Sequence, residues 1–129
     1  MESSNDTPRP RGTLRLQSVV LPRDANGAGD IFGGWLVGQM DIAGDMAANK
    51  RAQGRVATVA INDVVFLRPV AIGDVVAVYA DILEVGRSSM KVTVEAWEMS
   101  DPQNAPRKLG EGLFTFVAIT NEGRTRPLP

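Results

Sequence analysis

From Thr13 onward the chain divides by hydrophobic rhythm. Thr13 to Val20 (TLRLQSVV) alternates, Leu14 and Leu16 against Arg15 and Gln17, which is the period of a half-buried strand. Pro22 ends it, and Asp24, Asn26, Gly27 and Gly29 make an irregular loop. A helix is predicted to begin near Phe32 to Gly34 and to run to about Ala52, with Gly54 as its stop. Its apolar residues, from Trp35 and Leu36 through Met40 and Ile42 to Met46 and Ala47, cover most of the wheel. Such a helix is buried on more than one side. Gly34, Gly38 and Gly44 each cost up to ~1 kcal/mol of helix propensity, so tertiary burial must hold it.

Four strand patterns follow: Val56 to Phe66, Val75 to Glu84, Ser89 to Glu98 and Leu109 to Ile119. Pro69 with Gly73, the turn at Gly86 and Arg87, and the polar loop SDPQNAPRK separate them. Gly110 and Gly112 mark a bulge or close packing. The end, TNEGRTRPLP, reads as a turn and tail. Short connections favour antiparallel pairing. The expectation is an α+β fold, one antiparallel sheet wrapped round one central helix. Such a sheet leaves edges open and part of the helix uncovered, and pairing with a second copy cures both.

Composition narrows the function. The 129 residues suit one domain, expected at residues 13–129, behind a polar, Pro-rich, disordered tail at residues 1–12. That tail lacks the apolar stretch of a secretory signal, and no run is long enough to span a bilayer, so the expectation is a cytoplasmic protein. The net charge is −1 and the basic residues are scattered, unlike a nucleic-acid surface. There is no cysteine, hence no disulfide, thiolate nucleophile or Cys metal site. There is no histidine either, which removes Ser-His-Asp catalysis and most zinc or iron sites. Acid–base chemistry falls to Asp, Glu, Lys or Tyr. Asp41, in the middle of the apolar helix, becomes the leading candidate. The Gly-rich loop before it is no P-loop, since no Gly-Lys-Ser/Thr follows.

Several segments in order carry a resemblance. They are Pro22-Arg23-Asp24-Ala25-Asn26, Gly29-Asp30-Ile31-Phe32-Gly33-Gly34-Trp35, Gln39-Met40-Asp41, Gly54-Arg55-Val56, Phe66-Leu67-Arg68-Pro69-Val70, Gly73-Asp74-Val75-Val76 and Val85-Gly86-Arg87-Ser88-Ser89. From about Leu14 to Pro127 the chain resembles the hot-dog acyl-CoA thioesterases of the YciA type, related to the cytosolic brain-type acyl-CoA hydrolases. The resemblance implies hydrolysis of acyl-CoA thioesters in fatty acid metabolism, with coenzyme A as part of the substrate and no cofactor. It implies sites at a homodimer interface and, commonly, trimers of dimers, that is hexamers. It puts Asp41 at the catalytic position and makes Asn26, from the facing subunit, the holder of water or substrate. For Asn26 the competing reading is a plain turn residue.

The chemistry fits these residues. Asp41 can serve as general base for water, or attack directly to form a mixed anhydride. Its apolar neighbours should partly desolvate it and strengthen it as a base. Gly33 and Gly34 place unpartnered N–H groups at the positive end of the helix, suited to a thioester carbonyl. Arg68, Arg87, Ser88 and Ser89 are candidates for the coenzyme A side, against a reading as solvated turn residues. Trp35 and Trp97 read as packing residues. Asp45, one turn after Asp41, should repel it; it tunes Asp41, lines the acyl pocket or, the favoured reading, meets a basic partner. Asp63 is either a second acid near the site or, the favoured reading, a polar interface residue. The alternative functions are a non-catalytic acyl-CoA-binding or regulatory hot-dog protein and a hydratase or dehydratase, the latter disfavoured without histidine.

Overall fold

The computed structural model describes residues 9–129. Five strands and one long helix appear in the order β1 (Thr13–Val19), α1 (Gly33–Ala52), β2 (Val56–Phe66), β3 (Val75–Val85), β4 (Ser89–Glu98) and β5 (Arg107–Ala118). A single 3-10 turn, Pro22–Asp24, lies in the loop before α1. All pairs are antiparallel and the sheet order is β1-β3-β4-β5-β2. The predicted sheet round a central helix is the fold found. None of the described helices is long and apolar enough to cross a membrane.

The alternation of β4 shows how the sheet holds the helix. Met90, Val92, Val94 and Ala96 are buried on one face, where they meet Leu36, Met40, Ala43, Ala47 and Ala48 of α1. Burying each large apolar side chain of this kind contributes about 1.5–3 kcal/mol. Gly44 lets the helix sit low, because a Cβ there would lie 2.9 Å from the Phe116 ring. The other helical face stays bare: Ile42 is 52% and Met46 42% exposed. The neighbouring edge strand β2 leaves Val59, Ile61 and Val65 exposed as well. The helix is thus apolar on two sides but covered by its own sheet on one.

Three details differ from the sequence pattern. The left-handed residue after α1 is Gln53 (φ 54°), not Gly54. Gly54 provides room instead, since a Cβ there would lie 2.8 Å from the Arg126 guanidinium. That guanidinium donates to Ala52 O and Ile119 O and so caps the end of the helix. Strand β5 starts at Arg107, ahead of Leu109, and stops at Ala118, before Ile119. Its polar start pairs in register with β4, Arg107 opposite Glu98 and Lys108 opposite Trp97, so backbone pairing outruns the hydrophobic pattern. The C-terminal segment is no loose tail: Leu128 N donates to Arg87 O, and Arg51 donates to Pro129 O.

The expected close packing at Gly110 is present. Asp63 adopts φ 55° in a bulge of β2, and a Cβ on Gly110 would meet Val65 O at 2.8 Å. The tail expected at residues 1–12 falls for residues 1–8 outside the described residues. Nearer the domain, Arg11 N donates to Glu95 Oε1 on the sheet.

Candidate active site

Asp41 lies mid-helix, half-buried, on the side of α1 that looks toward β2. Thr58 projects from β2 to the core side, opposite Phe116, and its hydroxyl donates to Asp41 Oδ1 at 2.7 Å. One carboxylate oxygen is therefore fixed. The other makes no hydrogen bond among the described residues, and so is an open acceptor for a water or a face for nucleophilic attack. Sequence reasoning missed Thr58. Its signal was a lone hydroxyl at a core-facing position of an otherwise apolar stretch, Val56 to Ile61.

Asp45 follows one turn later, partly buried. The basic partner expected for it is not found: among the described residues it has neither ion pair nor hydrogen bond. Burial, and secondly the charge of Asp41, raise Asp45 above its ordinary value. Asp63 is not a second acid beside Asp41. It borders a cavity of about 240 Å³ on the opposite face of the sheet, with Thr93, Glu95 and Glu111.

The loop before the helix is built on Asn26. Its Oδ1 accepts from Ala28 N and Asp30 N, while its backbone pairs with Asp30 O and Gly29 N. The side chain is thus a turn organiser, as the plain reading had it. Asn26 is exposed. Gly33 and Gly34 open α1 with no side-chain cap and no acid in the first turn. Their N–H groups keep the positive end of the helix free of an internal anion.

These parts do not converge within one chain. Gly33 and Asp41 are eight residues apart on one straight helix, about 12 Å along its axis. A single carbonyl cannot touch both. No hydrogen bond or shared cavity joins Asn26 to Asp41. The four residues assigned to the coenzyme A side also divide. Arg68 donates to Lys108 O and shares a cavity of about 390 Å³ with Phe32, Gly33, Leu36 and Phe66 at the helix N-terminus. Arg87, Ser88 and Ser89 form the β3–β4 turn, where Ser88 O accepts from Ala118 N. Nearly the whole of β5, about 30 Å, separates the two groups. Trp97 is buried and Trp35 packs against the core, as packing residues do.

Comparison with known proteins follows the same outline. Residues 28–104 match the thioesterase superfamily. The acyl-CoA thioester hydrolase YciA of Escherichia coli K12 is 46% identical over 123 residues, 93% of each chain. A hexameric thioesterase from Yersinia pestis superposes with a TM-score of 0.88 at 44% identity, over 94% of this chain and 98% of that one. An acyl-CoA hydrolase from Staphylococcus aureus, solved with butyryl coenzyme A and coenzyme A, gives a TM-score of 0.81 at 31% identity, over 88% and 70% of the two chains. That enzyme has also been solved with one aspartate and, separately, one threonine changed to alanine. Those two residues are 17 positions apart, the spacing of Asp41 and Thr58 here.

Proposed function

The chain belongs to the thioesterase superfamily as a hot-dog acyl-CoA thioester hydrolase of the YciA type, and on that premise we propose that two copies build each active site together. The carrying observation is the Asp41–Thr58 pair, with one carboxylate oxygen held and the other open, on a face the chain leaves bare. The edge strand β2 and the exposed Ile42 and Met46 supply a continuous apolar surface for a second copy. Antiparallel pairing of two β2 edges runs the two helices in opposite directions. It sets the N-terminal end of one helix beside the C-terminal end of the other. Asn26, Gly33 and Gly34 of one chain then approach Asp41 of the other. The Arg68 end of one chain likewise approaches the Arg87 turn of its partner. Three such pairs would make a hexamer of the kind seen in the Yersinia pestis relative.

In such a site the thioester carbonyl oxygen lies against the Gly33 and Gly34 N–H groups, which stabilise it as it becomes an oxyanion. The Asn26 amide holds the water or the substrate. As general base, the open oxygen of Asp41 takes a proton from water as the water oxygen attacks the carbonyl carbon. The C–S bond then breaks and the coenzyme A thiolate recovers that proton. As nucleophile, the same oxygen attacks the carbonyl carbon, coenzyme A leaves as thiolate, and water cleaves the mixed anhydride. Thr58 serves both routes by fixing the carboxylate. Incorporation of ¹⁸O from water into Asp41 in a single turnover marks the anhydride route with water attacking the Asp41 carboxyl carbon; attack on the acyl carbon labels the product acid in either route.

The test follows thiol release from a panel of acyl-CoAs. Asp41→Asn is expected to lose about 10²–10⁴-fold in kcat with its fold intact. Mixed oligomers of Asp41→Asn with Asn26→Ala are expected to recover activity that neither variant has alone. In a mixed pair, one site regains an intact Asp41 and an intact Asn26. Absence of complementation removes the shared site. Coenzyme A binding without turnover by the wild type makes this a binding protein instead.

A further inference from the structure

Asp45 is unused by the mechanism above, and its surroundings are unusual. It lies one helical turn from Asp41, on the same face, where side chains four apart are neighbours. The two carboxylates are not equivalent. Asp41 has the Thr58 hydroxyl to stabilise its charge, whereas Asp45 has no donor among the described residues. We propose that Asp45 is a positioning residue whose charge, when present, makes Asp41 a stronger base or nucleophile.

The charges that could interfere are engaged elsewhere. Where they cover α1, the core-facing positions of β3, β4 and β5 carry side chains such as Val78, Val94 and Phe116; the charged exception, Glu98, stands at the end of β4 beyond Ala96, paired with Arg107. From β1, Ser18 donates to Gln39; from β2, Thr58 serves Asp41. The strand charges Glu84 with Lys91, Glu95 and Glu111 with Lys108, and Glu98 with Arg107 are paired to one another. By the alternation of β4, Lys91 and Glu95 with their partners lie on the far side of the sheet, as does Asp63. Of the cations near the helix end, Arg51 donates to Pro129 O and Arg55 to Thr120 O and Asn121 O, while Lys50 is exposed on the last turn. Arg15 of β1 is partly buried with its Nε unpartnered. The charge that acts on Asp45 is that of Asp41.

Without a donor of its own, Asp45 ionises against the charge of Asp41. Repulsion is mutual, so the ionisation of Asp45 strengthens the hold of Asp41 on a transferred proton or acyl group. Activity should therefore gain a step as Asp45 ionises.

The inference rests on Asp41 as the reacting carboxylate, and two measurements separate the claims. The first is kcat against pH for acyl-CoA hydrolysis by the wild type, Asp45→Asn and Asp45→Glu. Asn mimics the neutral acid, so that variant should lose that step and reach a plateau about three- to tenfold lower. Asp45→Glu should restore the step. One shared profile, or an unchanged plateau in Asp45→Asn, overturns the proposal. The second is the carboxyl ¹³C titration of Asp45 in the wild type and in Asp41→Asn. The Asp45 midpoint should fall once Asp41 is neutral. An unmoved midpoint removes the coupling, whether or not the protein hydrolyses any thioester.

Discussion

On the sheet face turned away from α1, Glu95 accepts from Arg11 N and Trp97 Nε1, each at 3.0 Å, and from Lys108 Nζ at 3.3 Å. Lys108 also bonds Glu111, and at the end of β4, on the other face by alternation, Glu98 accepts from Arg107 and Ser100. On the helix side, Asp41 accepts one hydrogen bond and Asp45 none. The difference shows in their proton affinities. Burial pulls the Lys108 ammonium down, but Glu111 and Glu95 outweigh it and hold it above its usual range. Glu98 is held below the usual carboxylate range by Ser100 first, against its partial burial, and then by Arg107. Asp45 moves the other way. One face is electrostatically finished within the chain. The other leaves its acids short of partners, which is what a site awaiting substrate and a second copy requires.

The largest effect that tests this contrast is at Thr58. Thr58→Val keeps the β-branched shape but removes the donor to Asp41. A hydrogen bond to a charged group is worth about 1.5–3 kcal/mol, so kcat should fall about 10- to 100-fold. The melting temperature should move little, because the freed carboxylate can reach water on the bare face. Steady-state kinetics with thermal melts read both. A rise in KM alone would make Thr58 a substrate contact rather than a holder of Asp41.

Glu95 supplies the converse. Glu95→Gln weakens three interactions at once on the finished face, and should cost about 1–2 kcal/mol of stability. For a domain of this size that is a drop of several degrees in melting temperature, roughly 3–8 °C. Saturated kcat should be unchanged. A fall in kcat at full folding would mean that the two faces are coupled through the sheet.

The contrast also explains what the sequence made legible. The helix, the strands and the bare second side of α1 follow from periodicity, because packing against a core imposes that period. Asp41 stood out as an acid in the apolar centre of the helix, at the position the resemblance marks. Thr58 did not, because a threonine in a strand is ordinary on propensity, and only the crossing of β2 beside mid-helix makes it a donor to Asp41. Arg68 and Arg87 resembled one cluster in a linear reading, yet the ends of β5 hold them apart. A sequence lists residues without saying which end of a strand they reach. The basic partner expected for Asp45 failed for a related reason. Of the cations that follow it, Lys50 is exposed on the last turn, while Arg51 and Arg55 are drawn to the carbonyls of the C-terminal segment, whose return across the helix end no local pattern announces.

The smallest effect is on stability and concerns Asp45 alone. In the fold Asp45 keeps its proton to a higher pH than its ordinary value of 3.8. The native state therefore binds more protons than the unfolded chain across a window that opens near that value and closes above the folded one. Through that window native stability falls as pH rises. Asp45→Asn does not titrate there. Below the window the variant and the wild type should melt together. Above it the variant should melt about 1–3 °C higher. The sign is the informative part. An isolated acid whose charge serves Asp41 costs the fold something, so neutralising it must stabilise the protein while lowering kcat. If Asp45→Asn instead melts lower at neutral pH, a second copy supplies the cation that the chain itself lacks. Asp45 would then belong with Glu95 and Glu98, among the acids whose charge is already balanced.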